Sequence, residues 1–241
     1  MIELPTMKPA EFIASALDDI SAMPDEVKEV FGFAIYMAQR GEKHQDAKPL
    51  KGFGGAGVLE VVENYDGDTY RAVYTVKFAG MVYVLDVFQK KSKQGSRTAK
   101  ARYRAHQVAA EISRTRLCET ETARKDSLIT LDGQSNVMTH RKTTSNVFKD
   151  IGLPNAEEHA LKADLVIKLA KLIELKGLTQ SKAADLTGIA QPDLSKLLRG
   201  HIAGFSMDRL LQAILDLGSD VEIRVKKPAV NRRGRAHVLA A

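Results

Sequence analysis

Apolar residues along this chain recur with two periods, and the order of those periods divides the sequence. Residues 25–40, DEVKEVFGFAIYMAQR, set Val27, Val30, Phe31, Ala34 and Ala38 at helical spacing, which predicts one apolar helix face. A shorter helical stretch is expected earlier, over residues 9–22, with Pro24 between the two and Gly41 at the C-terminal stop. The period then drops to two. VLEVVENY (58–65), TYRAVYTVKFA (69–79) and MVYVLDVFQKK (81–91) read as strands, and Asp66-Gly67-Asp68 and Ala79-Gly80 suit tight hairpins between them. Two helices, an antiparallel meander and a basic helical segment make an α+β domain.

Helical spacing returns in the second half. Asn146-Val147-Phe148 to Leu153-Pro154 is a short apolar-polar lead, and Asn155 and Glu158 have the spacing of a capping box. The helix that follows places Leu161, Leu165, Leu169, Leu172 and Ile173 on one face and ends at Gly177. Thr179 can cap a short helix through Leu186, Thr187-Gly188-Ile189 makes a tight turn, and Pro192 suits the start of a second helix that Gly200 stops. Ser206 caps another helix, MDRLLQAILDLG. This half is all-α until DVEIRVKK (220–227), which alternates like a strand suited to edge pairing in a dimer. Between the halves, Ala105, Val108, Ala109 and Ile112 predict a weak helix, and residues 120–137 read as a linker. The expected units are therefore 1–96, 97–137, 138–159, 160–227 and a basic tail, 228–241, in which RRGR (232–235) has no core pattern.

Composition narrows the class. Of 241 residues, 44% are hydrophobic and 27% charged, enough for a packed core. No apolar run approaches the roughly 20 residues that span a bilayer, so no membrane partner is expected. MIELPTMKPAEF lacks the marks of a secretory signal, and Cys118 is the only cysteine, so a cytoplasmic location is expected. The formal net charge of +6 is uneven. Residues 90–125 carry 11 Lys+Arg against 3 Asp+Glu, and residues 224–241 carry 6 against none. Two such clusters favour a polyanion, with nucleic acid the obvious candidate.

No Cys or Ser nucleophile motif and no His pair at metal-ligand spacing is present, and no cofactor is expected. RNA cleavage needs neither, because the 2′-OH is the nucleophile. It needs a base for that hydroxyl, cations for the charge developing on phosphate, and an acid for the leaving oxygen. In the 69–79 strand, Arg71, Val73, Thr75 and Lys77 share one face, and Tyr70, Ala72, Tyr74, Val76 and Phe78 the other.

The words HQDAKPLKGFGGAGVLEVVE, GDTYRAVYTVKF and VYVLDVFQKKSK, over roughly residues 7–96, resemble the RelE/HigB superfamily of toxin endoribonucleases, especially its phage-derived HigB-like branch. The resemblance implies catalytic or RNA-contacting roles for Arg71 on the strand, for Lys90 and Lys91 at the end of the next strand, and for Lys48 and Lys51 in the loop before the meander. His44 is a weaker candidate for a general base, more often a surface loop residue. Residues 97–137 depart from the family, in which an amphipathic helix usually follows, and Tyr103 is a poor substitute for the tyrosine some relatives carry. We read this segment as a joint between two formerly adjacent genes.

Helix, tight turn and helix with an outward polar face is the helix-turn-helix, whose second helix enters the major groove. LTQSKAADLTGIAQPDLSKLLRG (178–200) resembles the XRE/Cro family at Gln180, Ala184, Gly188 and the LSKLLRG ending. With NVFKDIGLPNAEEHALKADL before it, the back half is similar to HigA-type antitoxins of that family. The likeness begins near Met138, in SNVMTHRK, which looks like an antitoxin's start now inside a longer chain. By that resemblance Gln191 and Ser195 face base edges with Lys196 alongside, while Gln180, Lys182 and Arg199 contact phosphate or buttress the helix. The whole implies a fused type II toxin–antitoxin protein, with operator DNA, mRNA on the ribosome, toxin–antitoxin contact and a homodimer as expected partners. The rivals are a transcriptional regulator with an inert front domain and a gyrase-directed relative.

Overall fold

The computed structural model describes residues 7–50, 57–76, 80–90, 140–143, 146–225, 227, 234, 236 and 238. Strands β1 (Ala10–Ile13), β2 (Lys48–Pro49), β3 (Val58–Tyr65), β4 (Asp68–Thr75), β5 (Val82–Gln89) and β6 (His140–Lys142) form one sheet, ordered β2-β3-β4-β5-β1-β6. Strands β3, β4 and β5 are the antiparallel meander that the alternation predicts. Residues 77–79 and 91, at the ends of two predicted strands, lie outside the described residues, as does the whole of 97–137.

The stretch 9–22 is not one helix. Only Ala16–Ser21 (α1) is helical, and Ala10–Ile13 runs parallel to β5 with Ala10 opposite Val82. All four residues of β1 are buried, because the strand lies inside the sheet. A short strand covered on both faces shows no alternation, so periodicity could not separate it from a helix.

Helix α2 (Asp25–Gln39) packs against the sheet, but it is not amphipathic in the way its spacing suggests. Glu29, Gly32, Phe33 and Tyr36 are buried as well as the predicted stripe. The reason is the back half of the chain, whose helices lie on that second face. These are α3 (Val147–Asp150), α4 (Ala156–Leu175), α5 (Gln180–Thr187), α6 (Gln191–Leu198) and α7 (Met207–Asp216). One buried apolar cluster runs through both halves, from Phe12 and Tyr74 to Leu194 and Leu217.

Local signals explain most helix ends. The Thr179 side chain accepts a bond from the Lys182 amide at 3.3 Å, and Ser206 accepts from Arg209 at 3.2 Å. The capping box at Asn155 and Glu158 does not form. Asn155 sits in the left-handed region at φ 51° with no side-chain cap, and Glu158 reaches along the helix to Lys162 at 2.7 Å. Asn146 does the capping instead: it accepts from Phe148 at 3.1 Å and donates to the Ala156 carbonyl at 2.9 Å, tying α3 to α4. Among the described residues of the alternating segment 220–227, none is in a strand. Residues 221–225 have no regular structure and pair with none of the described strands.

Two glycines let the halves approach. Side-chain atoms of Ile151 and Phe148 lie 2.9 Å and 3.0 Å from where a Cβ on Gly32 would stand, so α3 rests on the bare backbone of α2. Gly200, at φ +103°, would carry a Cβ 2.8 Å from Phe33. Gly200→Ala is therefore expected to lose roughly 1–3 kcal/mol through the backbone alone, and more through the clash with Phe33. Urea unfolding measures this; an unchanged midpoint contradicts the close approach.

Candidate functional site

The helix-turn-helix presents a solvent-facing surface. Gln191, at the start of α6, is exposed, as are Lys196 and Lys182, while Gln180 and Ser195 are half-buried. Leu194, Leu197 and Leu198 hold the opposite side of α6 in the core. The Gln191 amide donates to the Gln180 side-chain oxygen at 3.3 Å, so the two glutamines brace each other across the turn. Gln191, Ser195 and Lys196 all belong to α6, and none of the three is buried. Arg199 does not join them in the same way: it lies beside the front half, its Nε 4.0 Å from Asp46.

On the front half, the sheet face turned away from α2 carries the predicted cleavage residues that are described. Arg71 lies on β4 beside Val73, and its guanidinium pairs with Glu60 of β3 at 2.6 Å. Lys48 of β2 stands opposite Glu60 in the register, and both belong to that face. Lys90 is exposed just past the end of β5, its amide bonded to the Thr69 carbonyl. Lys51 and Lys91 lie outside the described residues. Glu60 is the residue that the sequence reading missed. The alternation of VLEVVE placed it opposite the core positions Leu59 and Val61, on the face of Arg71, and that was the available signal.

His44 is not a surface loop residue. It is 1% exposed, wedged between the halves. Its Nε2 lies 2.9 Å from the Arg199 carbonyl at the end of α6, and its Nδ1 accepts from the Asp46 amide at 3.2 Å. A carbonyl only accepts and an amide N–H only donates, so this geometry requires the neutral ring with its proton on Nε2.

Further contacts join the halves around α2. Asp164 accepts from the Tyr36 hydroxyl at 2.8 Å and pairs with Arg40. Glu29 takes the His159 ring at 3.1 Å and the Ala203 amide at 2.6 Å. The Phe148 ring stacks at a tilt on both Tyr36 and His159. At the sheet edge, β6 pairs antiparallel with β1, Arg141 opposite Phe12, and Arg141 reaches Asp18 at 2.6 Å. The residues just after Met138 therefore complete the front half's sheet.

Two histidines in this seam titrate in opposite senses. The hydrogen bond to Glu29 raises the His159 pKa, against a smaller opposing effect of burial. Burial lowers that of His44. A raised histidine gives stability that is complete below its unfolded pKa and is lost as pH rises through the folded one. A lowered histidine gives stability present above its unfolded pKa and lost as pH falls through the folded one. Stability is thus expected to peak between the two. His159→Gln should flatten the alkaline limb and His44→Gln the acidic limb, read from urea midpoints across pH 5–9. Parallel profiles for both variants and the parent would exclude these groups.

The architecture is that of a small α+β domain held by a DNA-binding helical unit within one chain. Residues 18–107 match the model of the phage derived protein Gp49-like family, and residues 147–226 match that of a helix-turn-helix domain family. The front half is thus similar to the Gp49-like domain, a toxin family of the RelE/HigB-like kind, and the back half is an XRE-type helix-turn-helix. A solved structure titled "Putative XRE Family Transcriptional Regulator" is similar at 38% identity, over 36% of this chain and 100% of that one, with a TM-score of 0.34. None of the curated proteins compared matches the chain.

Proposed function

We propose that this is a fused type II toxin–antitoxin protein. The front domain is a ribosome-dependent mRNA endoribonuclease, and the back domain silences it and represses its own operon by binding operator DNA. The observation that carries this reading is the seam. The back half completes the front sheet with β6 and buries charged partners on α2, while Gln191, Lys196 and Lys182 stay open to solvent. Held in this way, the chain can bind DNA while its front domain is occupied.

In the cleavage reading, Arg71, Lys48 and Lys90 stabilise the charge developing on the scissile phosphate, a role that the resemblance also implies for Lys51 and Lys91. Glu60, 2.6 Å from Arg71, is a competent base for the 2′-OH. The back half lies on the α2 side, away from this face. Silencing would then come from bulk that keeps the domain out of the ribosome, rather than from a plug in the cleft. The Arg71–Glu60 pair also favours a second reading, in which those charges satisfy each other and the front domain is an inert interaction module.

The DNA half of the proposal has its own test. Gln191→Ala should weaken operator binding by roughly 1–3 kcal/mol and leave nonspecific binding nearly unchanged, since a glutamine can read adenine bidentately. Gel shifts at several salt concentrations decide this. Equal loss on operator and random DNA would refute base reading by Gln191.

A further inference from the structure

We propose that Asp46, a residue of the front half, is a positioning residue for DNA binding, because its carboxylate competes with the DNA backbone for the Arg199 guanidinium. The proposal rests on the DNA-binding reading of the helix-turn-helix given above. Arg199 follows the last residue of α6 and keeps helical dihedrals, φ −87° and ψ −4°. It stands four residues beyond Ser195 and eight beyond Gln191, so it continues the side of α6 that opens with exposed Gln191.

Three consecutive residues at that end of α6 are held by the front half. The His44 Nε2 donates to the Arg199 carbonyl at 2.9 Å. The Phe33 side chain closes on the bare backbone of Gly200. The His201 Nε2 lies 3.5 Å from Glu63. The other nitrogen of the His44 ring accepts from the Asp46 amide at 3.2 Å. One rigid, buried ring thus joins the main chains of Asp46 and Arg199 and fixes the spacing between them. The Asp46 Oδ2 stands 4.0 Å from the Arg199 Nε.

That pair is loose. The Nε is buried and has no hydrogen-bond partner among the described residues. The two side chains keep 38% and 45% exposure. An exposed ion pair without a hydrogen bond contributes little, so its exchange for another anion meets little resistance. A phosphate offers the same guanidinium a charge-assisted contact through two oxygens. Until it does, a carboxylate of the front half offsets part of the charge that DNA would feel.

The test uses the full chain, with Asp46→Asn, Arg199→Ala and both changes together. Each is titrated against a labelled random-sequence DNA duplex at several salt concentrations, and binding is read by fluorescence anisotropy. Asparagine keeps the size of the side chain and the backbone bond to His44, and circular dichroism checks each fold. Asp46→Asn should tighten binding roughly three- to tenfold at low salt and steepen the salt slope by about one. Arg199→Ala should weaken binding, and in that background Asp46→Asn should gain less than about twofold. Equal binding by the parent and Asp46→Asn overturns the proposal. An undiminished gain in the Arg199→Ala background also overturns it, because Asp46 would then act by plain repulsion of phosphate. If no chain binds DNA, the DNA-binding reading itself fails and the proposal falls with it.

Discussion

Replacing Asp164 by alanine is expected to cost about 2–4 kcal/mol and to loosen the back half from the front. Asp164 lies on α4 and serves two groups of α2, the Tyr36 hydroxyl and the Arg40 guanidinium. Burial, then the nearby Asp164 charge, pushes the Tyr36 hydroxyl well above its usual pKa, so it remains a donor at all ordinary pH. Removing the carboxylate leaves that donor and a cation unpaired in the seam. The cost falls short of a fully buried pair because the Arg40 side chain keeps 19% exposure. The guanidinium also rests over the Tyr36 ring at 5.6 Å, which holds it in place as a free cation once Asp164 is gone. Asp164→Asn keeps an acceptor for Tyr36 and should lose less. Urea unfolding followed by circular dichroism measures both, and equal midpoints for all three chains would remove Asp164 from the account.

The second large effect concerns Arg71. If its guanidinium stabilises charge on phosphate, Arg71→Ala should lower mRNA cleavage by the released front domain about a hundredfold or more. The variant also frees Glu60, so Arg71→Lys is the useful companion. It keeps the charge and the Glu60 pair but loses the fork that grips two oxygens at once. Partial activity in the lysine variant and none in the alanine variant is the expected pattern. Equal cleavage by all three would take Arg71 out of the site while leaving the family assignment in place.

Much of this architecture was legible because local chemistry agreed with the tertiary structure. The meander was visible in the alternation of residues 58–89, and the helix-turn-helix in Thr179, Gly188, Pro192 and Ser206. What stayed hidden depended on contacts between distant residues. Strand β1 is buried on both faces and so carries no period. Asn155 matches a cap by spacing, yet the turn after Pro154 puts it in a left-handed conformation that cannot cap. His44, Glu29, His159 and Asp164 are charged or polar residues with surface-like spacing, and only the packing of the two halves buries them. The alternation at 220–225 was visible, but a strand needs a partner, and one chain supplies none among the described residues. On the sheet face, the Arg71 position followed from alternation, whereas its pairing with Glu60 required the cross-strand register.

The most direct test is primer-extension mapping of cuts in a translated mRNA, in a ribosome-containing extract. Four proteins are compared: the full chain, the full chain with Asp164→Ala and Glu29→Ala, residues 1–118, and residues 1–118 with Arg71→Ala. The fragment loses the cover over Phe33 and Tyr36, so circular dichroism must first show it folded; the seam variant keeps the test open if it is not. The account predicts no cuts by the full chain, cuts by the loosened chain and by the fragment, and none by the Arg71 variant. A folded fragment and a loosened chain that both leave the message intact would contradict it, and the chain would then be a DNA-binding regulator with an inert front domain.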